Sequence, residues 1–222
     1  MKRHRRAPSE QPPPAVGGRP ALVTKEQIVD AALALGVDNL SMHGLARHLG
    51  VSTAALYRYV GSREGLLDAC MDVFCERVEL PSQDLPWRDY LIGLSVSFRN
   101  ALLKTPGASV YGIKVGPTTP AAYRIIEKSL AVLRQAGFSP LGAFRAYGLV
   151  LDHVFTCVQK EEQYARLEQE NGRYGYQMLQ LDDATLARFP YMAESIQAML
   201  PPDLESGYQM QVAAIVRGLE ID

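Results

Sequence analysis

Cysteine is scarce in this chain. Cys70, Cys75 and Cys157 are the only three in 222 residues, too few and too unevenly spaced for a disulfide framework or a zinc cage. They are expected as buried, reduced thiols that pack like small hydrophobes. Also missing is any apolar run of the length a bilayer requires, so no membrane span is expected. The opening stretch, MKRHRRAPSEQPPPAVGG, is basic but lacks the apolar segment of a signal peptide, which points to the cytoplasm. There is no phosphate-cradling glycine loop and no metal-ligand spacing. No Ser/His/Asp or Cys/His pair comes with a supporting motif. An enzyme therefore has no support, and neither cofactor nor metal is expected. Repeats and convincing strands are lacking too.

What is present describes an ordinary folded protein, with 47% hydrophobic and 21% charged residues. The length suits one domain, or a small one joined to a larger one. Net charge is −1, but it is unevenly spread: residues 1–65 carry nine Lys or Arg against five acids, and the rest 14 against 19. A basic front and an acidic rear suit a front that meets a polyanion. Residues 1–20 are rich in Pro and Arg and nearly free of large apolar side chains, which predicts a disordered tail. Its KRHRR cluster either follows a phosphate backbone or is simply solvated.

From Thr24 onward the pattern is helical, and the fold class is read as all-α. Thr24 and Gln27 have capping-box spacing, with Ile28, Ala31, Ala32 and Leu35 recurring behind them. Ser41 caps a second short helix that Gly50 ends. A third spans about Thr53 to Val60, with Leu56 and Val60 inward. Gly61 breaks it, and Ser62 caps a longer fourth helix carrying Leu66, Leu67, Met71 and Phe74. Further back, helices are expected over about Trp87–Lys104, after Thr119-Pro120, from Pro140 to about Arg166, and over about Leu204–Leu219. Ser109–Val115 allows an extended segment, and the polar EEQYARLEQENGRYGYQ that begins at Glu161 reads as looped.

Two helices of about eight residues, Met42–Leu49 and Thr53–Val60, flank Gly50-Val51-Ser52. That is the size and spacing of a helix-turn-helix, whose second helix enters the major groove. With Leu45, Ala46, Leu49, Val51, Leu56 and Val60 inward, Thr53, Ala54, Arg58 and Tyr59 fall outside and Tyr57 lies near the edge. Hydroxyls, a small methyl and an Arg suit phosphates and base edges. By spacing alone, a helix pair without DNA recognition, in a ligand-binding or protein-interaction module, fits equally well.

ALVTKEQIVDAALALGVDNLSMHGLARHLGVSTAALYRYVGSREGLLDACMDVF resembles the DNA-binding domain of the tetracycline-repressor (TetR) family, most specifically over LARHLGVSTAALYRYVGSREGLLDA. PWRDYLIGLSVSFRNALLKTPGA, LAVLRQAGFSPLGAFRAY and VAAIVRGLE resemble the C-terminal ligand-binding domain of that family's namesake branch. One departure is ALALGVDNL, about one helical turn shorter than usual, a length that keeps the apolar stripe in phase. The resemblance implies a DNA-binding domain over 21–68 and an effector-binding and dimerisation domain over 69–222. It places Thr53, Ala54, Ala55, Tyr57, Arg58 and Tyr59 toward the groove, with Ser52 at their start. His43 and Arg47 fall near the backbone or a flanking base, and Arg63 matches a phosphate-contacting Lys. His43 and His48 share no helix face and have no acidic or Cys partner nearby, so they read as surface histidines rather than metal ligands.

The resemblance also implies a homodimer on a palindromic operator of double-stranded DNA, released by a small molecule. Candidate pocket residues are Trp87, Tyr90, Leu94, Phe98, Tyr111, Tyr123, Phe144, Tyr147, Phe155 and Gln159, most of which would serve equally as core. Asp152 and His153 sit mid-helix in an apolar run, where an unpaired polar group costs roughly 1–3 kcal/mol. They either face a polar pocket or pair across a dimer interface. Where the namesake branch holds a magnesium–drug complex with two His and a Glu, this chain has Val78 and Glu79, Tyr111 and Lys160. The expected effector is thus a bulky, largely apolar molecule with a few polar groups, not a tetracycline with magnesium.

Overall fold

A computed structural model describes residues 23–38, 40–171, 181–198 and 203–222. The KRHRR tail, and the part of the polar stretch after Asn171, lie outside the described residues. Eleven α-helices and no strand occur among the described residues. The first four, α1 (Lys25–Leu35), α2 (Met42–Leu49), α3 (Thr53–Val60) and α4 (Arg63–Glu76), form the front.

Each of these helices starts on a hydroxyl. Thr24 Oγ1 accepts from Gln27 N while Gln27 Oε1 accepts from Thr24 N, closing the capping box. Ser41, Ser52 and Ser62 accept from Gly44 N, Ala55 N and Gly65 N. Such a cap contributes about 1 kcal/mol and fixes where a short helix begins. Gly50 ends α2 in the left-handed conformation (φ 66°), which glycine adopts without steric cost. Ile28, Ala32, Leu45, Leu56 and Leu66 meet in the core. Leu35, expected on the buried stripe of α1, is instead 49% exposed, and Leu33 takes the inward place.

Behind them come α5 (Trp87–Leu103), α6 (Ala108–Val115), α7 (Pro120–Gln135) and α8 (Pro140–Asn171). They are followed by α9 (Asp183–Arg188), α10 (Pro190–Ala198) and α11 (Leu204–Arg217). Helix α8 packs on α5, α6, α7 and α11, while α4 packs on both α1 and α7. One continuous apolar core therefore runs from Ile28 to Val216.

Three expectations are corrected. Ser109–Val115 is helical, not extended, because the α6 start is tied to α8: Gly107 N and Ser109 Oγ both donate to the Glu162 carboxylate, at 3.0 and 2.6 Å. Helix α8 does not stop near Arg166 but runs to Asn171. Its polar residues have distant partners: Glu161 accepts from Arg99 at 2.9 Å, and Arg166 pairs with Asp38 at 2.7 Å. Finally, by length and composition alone the Pro140–Glu170 stretch meets the requirement for a membrane span. Its Ala143, Ala146, Val150, Val154 and Val158 are committed to the core of this fold. Helices α9 and α10 have no counterpart in the sequence reading.

Cys70, Cys75 and Cys157 are free thiols. The first two are buried, and burial pushes both up to about 12, so they stay protonated and inert.

Candidate nucleic-acid interface and effector cavity

On α3, Leu56 and Val60 point inward and are buried, leaving a broad outer face. Successive helical residues turn by about 100°, so Tyr57, Arg58 and Tyr59 fan across that face. All three are exposed, Tyr57 at 43% and Tyr59 at 38%. Tyr57 is thus as free as Tyr59, not tucked at the edge. Ala54 is exposed, and Thr53 and Ala55 are half-buried at the start of the helix. Ser52 is occupied in capping. His43 and Arg47 project from α2 into solvent. Arg63 is half-buried, and its Nε donates to the Leu40 carbonyl at 2.9 Å. That bond holds the start of α4 against the α1–α2 connection and commits one edge of the guanidinium to the fold.

A cavity of about 310 Å³ opens between α4, α5, α6, α7 and α8. Helix α4 contributes Met71, Phe74 and Cys75, α5 contributes Phe98, and α6 contributes Gly112 and Ile113. From α8 come Phe144, Tyr147, Gly148, Leu151, Asp152 and Phe155, which recur at helical spacing on one face. Phe74, Phe98 and Phe155 make successive edge-to-face contacts, each with centroids 6.2 Å apart. Gly112 is required for this arrangement: a Cβ there would lie 2.7 Å from the Phe155 ring. Tyr147 has no hydrogen-bond partner among the described residues, and burial raises its hydroxyl well above the ordinary tyrosine range. It is a neutral group available to an incoming molecule. The Asp152 carboxylate stands exposed at the rim and likewise has no side-chain partner among the described residues.

Of the sequence candidates, Phe98, Phe144, Tyr147, Asp152 and Phe155 come together on this cavity. The others do not line it. Trp87 sits edge-on to Phe138 under the Arg88 guanidinium. Tyr90 is fully buried with its hydroxyl 3.1 Å from Ser129 Oγ, and Leu94 is fully buried core. Tyr111 donates to Asp68 at 3.4 Å, Tyr123 is 54% exposed on α7, and Gln159 faces solvent. His153 turns away from Asp152 toward α11, stacking on Tyr208, with Nε2 3.4 Å from Cys157 Sγ. Burial, then the charge of Lys160, hold this imidazole below its ordinary range, with a hydrogen bond to Gln211 acting the other way.

Several wall residues escaped the sequence reading. Met71 and Phe74 are indistinguishable from core by periodicity, Thr119 reads only as a helix start, and Thr118 carried no signal. Thr118 also touches α4. Thr118 Oγ1 and Tyr111 Oη both donate to Asp68, and Ala121 N donates to Asp72 at 3.0 Å. One side of the cavity is thereby bonded to the helix that follows α3 directly. A second link joins front and rear: Val37 N donates to the Pro106 carbonyl at 2.9 Å, beside the Asp38–Arg166 pair.

Residues 80–221 match the family described as "Tetracyclin repressor-like, C-terminal domain", and residues 28–70 match "Bacterial regulatory proteins, tetR family". Tetracycline repressor protein class C of Escherichia coli is 32% identical over 207 residues, covering 88% of this chain and 90% of that protein. An HTH-type transcriptional regulator of Saccharopolyspora erythraea is 31% identical over 177 residues, covering 74% of this chain and 75% of that protein. Among solved structures, ActR of Streptomyces coelicolor in complex with actinorhodin aligns with a TM-score of 0.73 at 25% identity, covering 90% of this chain and 97% of that one.

Proposed function

The chain belongs to the TetR family of ligand-responsive, DNA-binding transcriptional regulators, and from that premise we propose that it is a homodimeric repressor released from a palindromic operator by a largely apolar small molecule with a few polar groups. Residues 21–68 read the DNA, and residues 69–222 hold the effector and the dimer contacts. Two copies of α3 enter successive major grooves about 34–36 Å apart. Arg58 and the flanking tyrosines supply the base and phosphate contacts, with His43, Arg47 and Arg63 on the adjoining backbone. The exposed apolar side chains Leu141 and Leu149 of α8 and Met210 of α11 support an intersubunit bundle built from those two helices. The protein acts in the cytoplasm, where its operator lies.

The observation that carries this reading is the exposed Tyr57-Arg58-Tyr59 face on a helix joined through α4 to the wall of a large apolar cavity. A molecule entering the cavity presses on Phe155 and on the Thr118 segment, which is bonded to Asp68 of α4. Movement of α4 changes the spacing of the two reading heads. The ligand shifts the equilibrium only by its differential affinity for the two arrangements. That ActR was solved with actinorhodin bound supports an effector bound by this chain.

The test is a mobility-shift titration on DNA flanking the protein's own gene, at one fixed salt concentration, since phosphate contacts make affinity salt-dependent. Arg58→Ala is expected to weaken binding by about tenfold or more, the scale of one lost bidentate base contact. Wild-type affinity in that variant would remove α3 as the reading helix.

A further inference from the structure

Among the described residues, the cavity wall holds one charged side chain, Asp152, and no Lys, Arg or His. Asp152 stands one helical turn beyond Gly148, whose missing side chain leaves open space beside it. The carboxylate is exposed at the rim and no described side chain pairs with it. The rest of the wall is aromatic and aliphatic, with Phe98, Phe144 and Phe155 among its lining residues.

This asymmetry discriminates by charge. An anion entering here would lose its hydration among apolar side chains, with no cation to replace water and with Asp152 repelling it. A cation meets the carboxylate at the rim and aromatic side chains elsewhere in the wall, which attract it in a way they do not attract an anion. We propose that the effector is a lipophilic cation, an aromatic-sized molecule carrying an amine or quaternary ammonium group. Its charge rests at Asp152 while its body fills the space between α5 and α8. Tyr147 offers its hydroxyl to a polar group on that body. The inference rests on the reading of the cavity as the effector site and adds the charge class that the site selects.

Three acridines of nearly one shape provide the test on the full-length protein without DNA, by isothermal titration calorimetry at neutral pH. They are 9-aminoacridine as the cation, acridine as the neutral form and acridine-9-carboxylate as the anion. The amine is expected to bind at least about tenfold more tightly than acridine, and the carboxylate not measurably. Asp152→Asn, at an exposed position that leaves the core intact, should bring the amine to the level of acridine and leave acridine itself unchanged. Carboxylate binding that matches the amine overturns the proposal, and so does an amine preference that survives Asp152→Asn. Gly148→Leu, which fills the cavity, separates the two readings. If acridine binds and this variant excludes it while the amine shows no preference, the charge inference fails and the cavity reading stands. If none of the three binds, both fail.

Discussion

Tyr57, Arg58 and Tyr59 show how little a side chain's type says without its angular position. Three bulky neighbours on an eight-residue helix span about 200° of its circumference, yet here all three are exposed, because Leu56 and Val60 alone satisfy the packing demand of α3. His153 illustrates the converse. Asp152 and His153, read together as facing either a polar pocket or a dimer interface, part company: one faces the cavity rim and the other packs against Tyr208 and Cys157. Burial lowers the His153 pKa from its ordinary value of 6.5, so the unfolded chain takes up the proton before the folded one does. Stability from this group is complete above about pH 6.5 and declines as pH falls toward the folded-state value. Chemical denaturation from pH 7.5 to 5.5 should therefore show a steeper loss in wild type than in His153→Gln. Parallel pH profiles would show that the imidazole is not perturbed by its site.

At the scale of elements, the polar end of α8 organises the junction between front and rear. Glu161 holds Arg99, which also pairs with Glu205 of α11, Glu162 holds the start of α6, and Arg166 holds Asp38. Gly107 makes the close approach possible: it sits at φ 80°, and a Cβ there would fall 2.5 Å from Asp38 Cβ. The Arg166–Asp38 pair is half-exposed on the Arg side, so Arg166→Ala should cost less than about 1 kcal/mol of global stability. Its local effect should be larger. Amide hydrogen exchange at Val37, which bonds to Pro106, is expected to accelerate by about tenfold as that contact opens. Unchanged protection at Val37 would mean that the pair does not hold the junction.

These contacts also mark what could be read in the sequence. The caps at Thr24, Ser41 and Ser62, and the apolar stripes behind them, depend on residues three or four apart and were legible. Glu161, Glu162 and Arg166 resemble a solvated loop because their partners lie between 53 and 128 residues away. The cavity was half legible for the same reason. Periodicity identifies an apolar face but does not distinguish a residue packed against a neighbour, such as Leu94, from one beside open space, such as Phe98.

For the whole molecule, the arrangement amounts to a lever. An apolar cavity and the helix proposed to read DNA share one continuous core, with α4 bonded to the cavity wall through Asp68 and Asp72 and leading directly from α3. If the lever operates, altering the cavity wall must be felt at the reading heads although no DNA-contacting residue has changed. Gly112→Ala provides that perturbation, since the added methyl would meet Phe155 at 2.7 Å and push its ring into the space an effector would fill. The decisive measurement is the operator dissociation constant of Gly112→Ala at fixed salt, on protein shown by circular dichroism to retain its helices. The account predicts binding about tenfold weaker than wild type, the scale of a typical allosteric coupling. Operator affinity equal to wild type in the folded variant would contradict it.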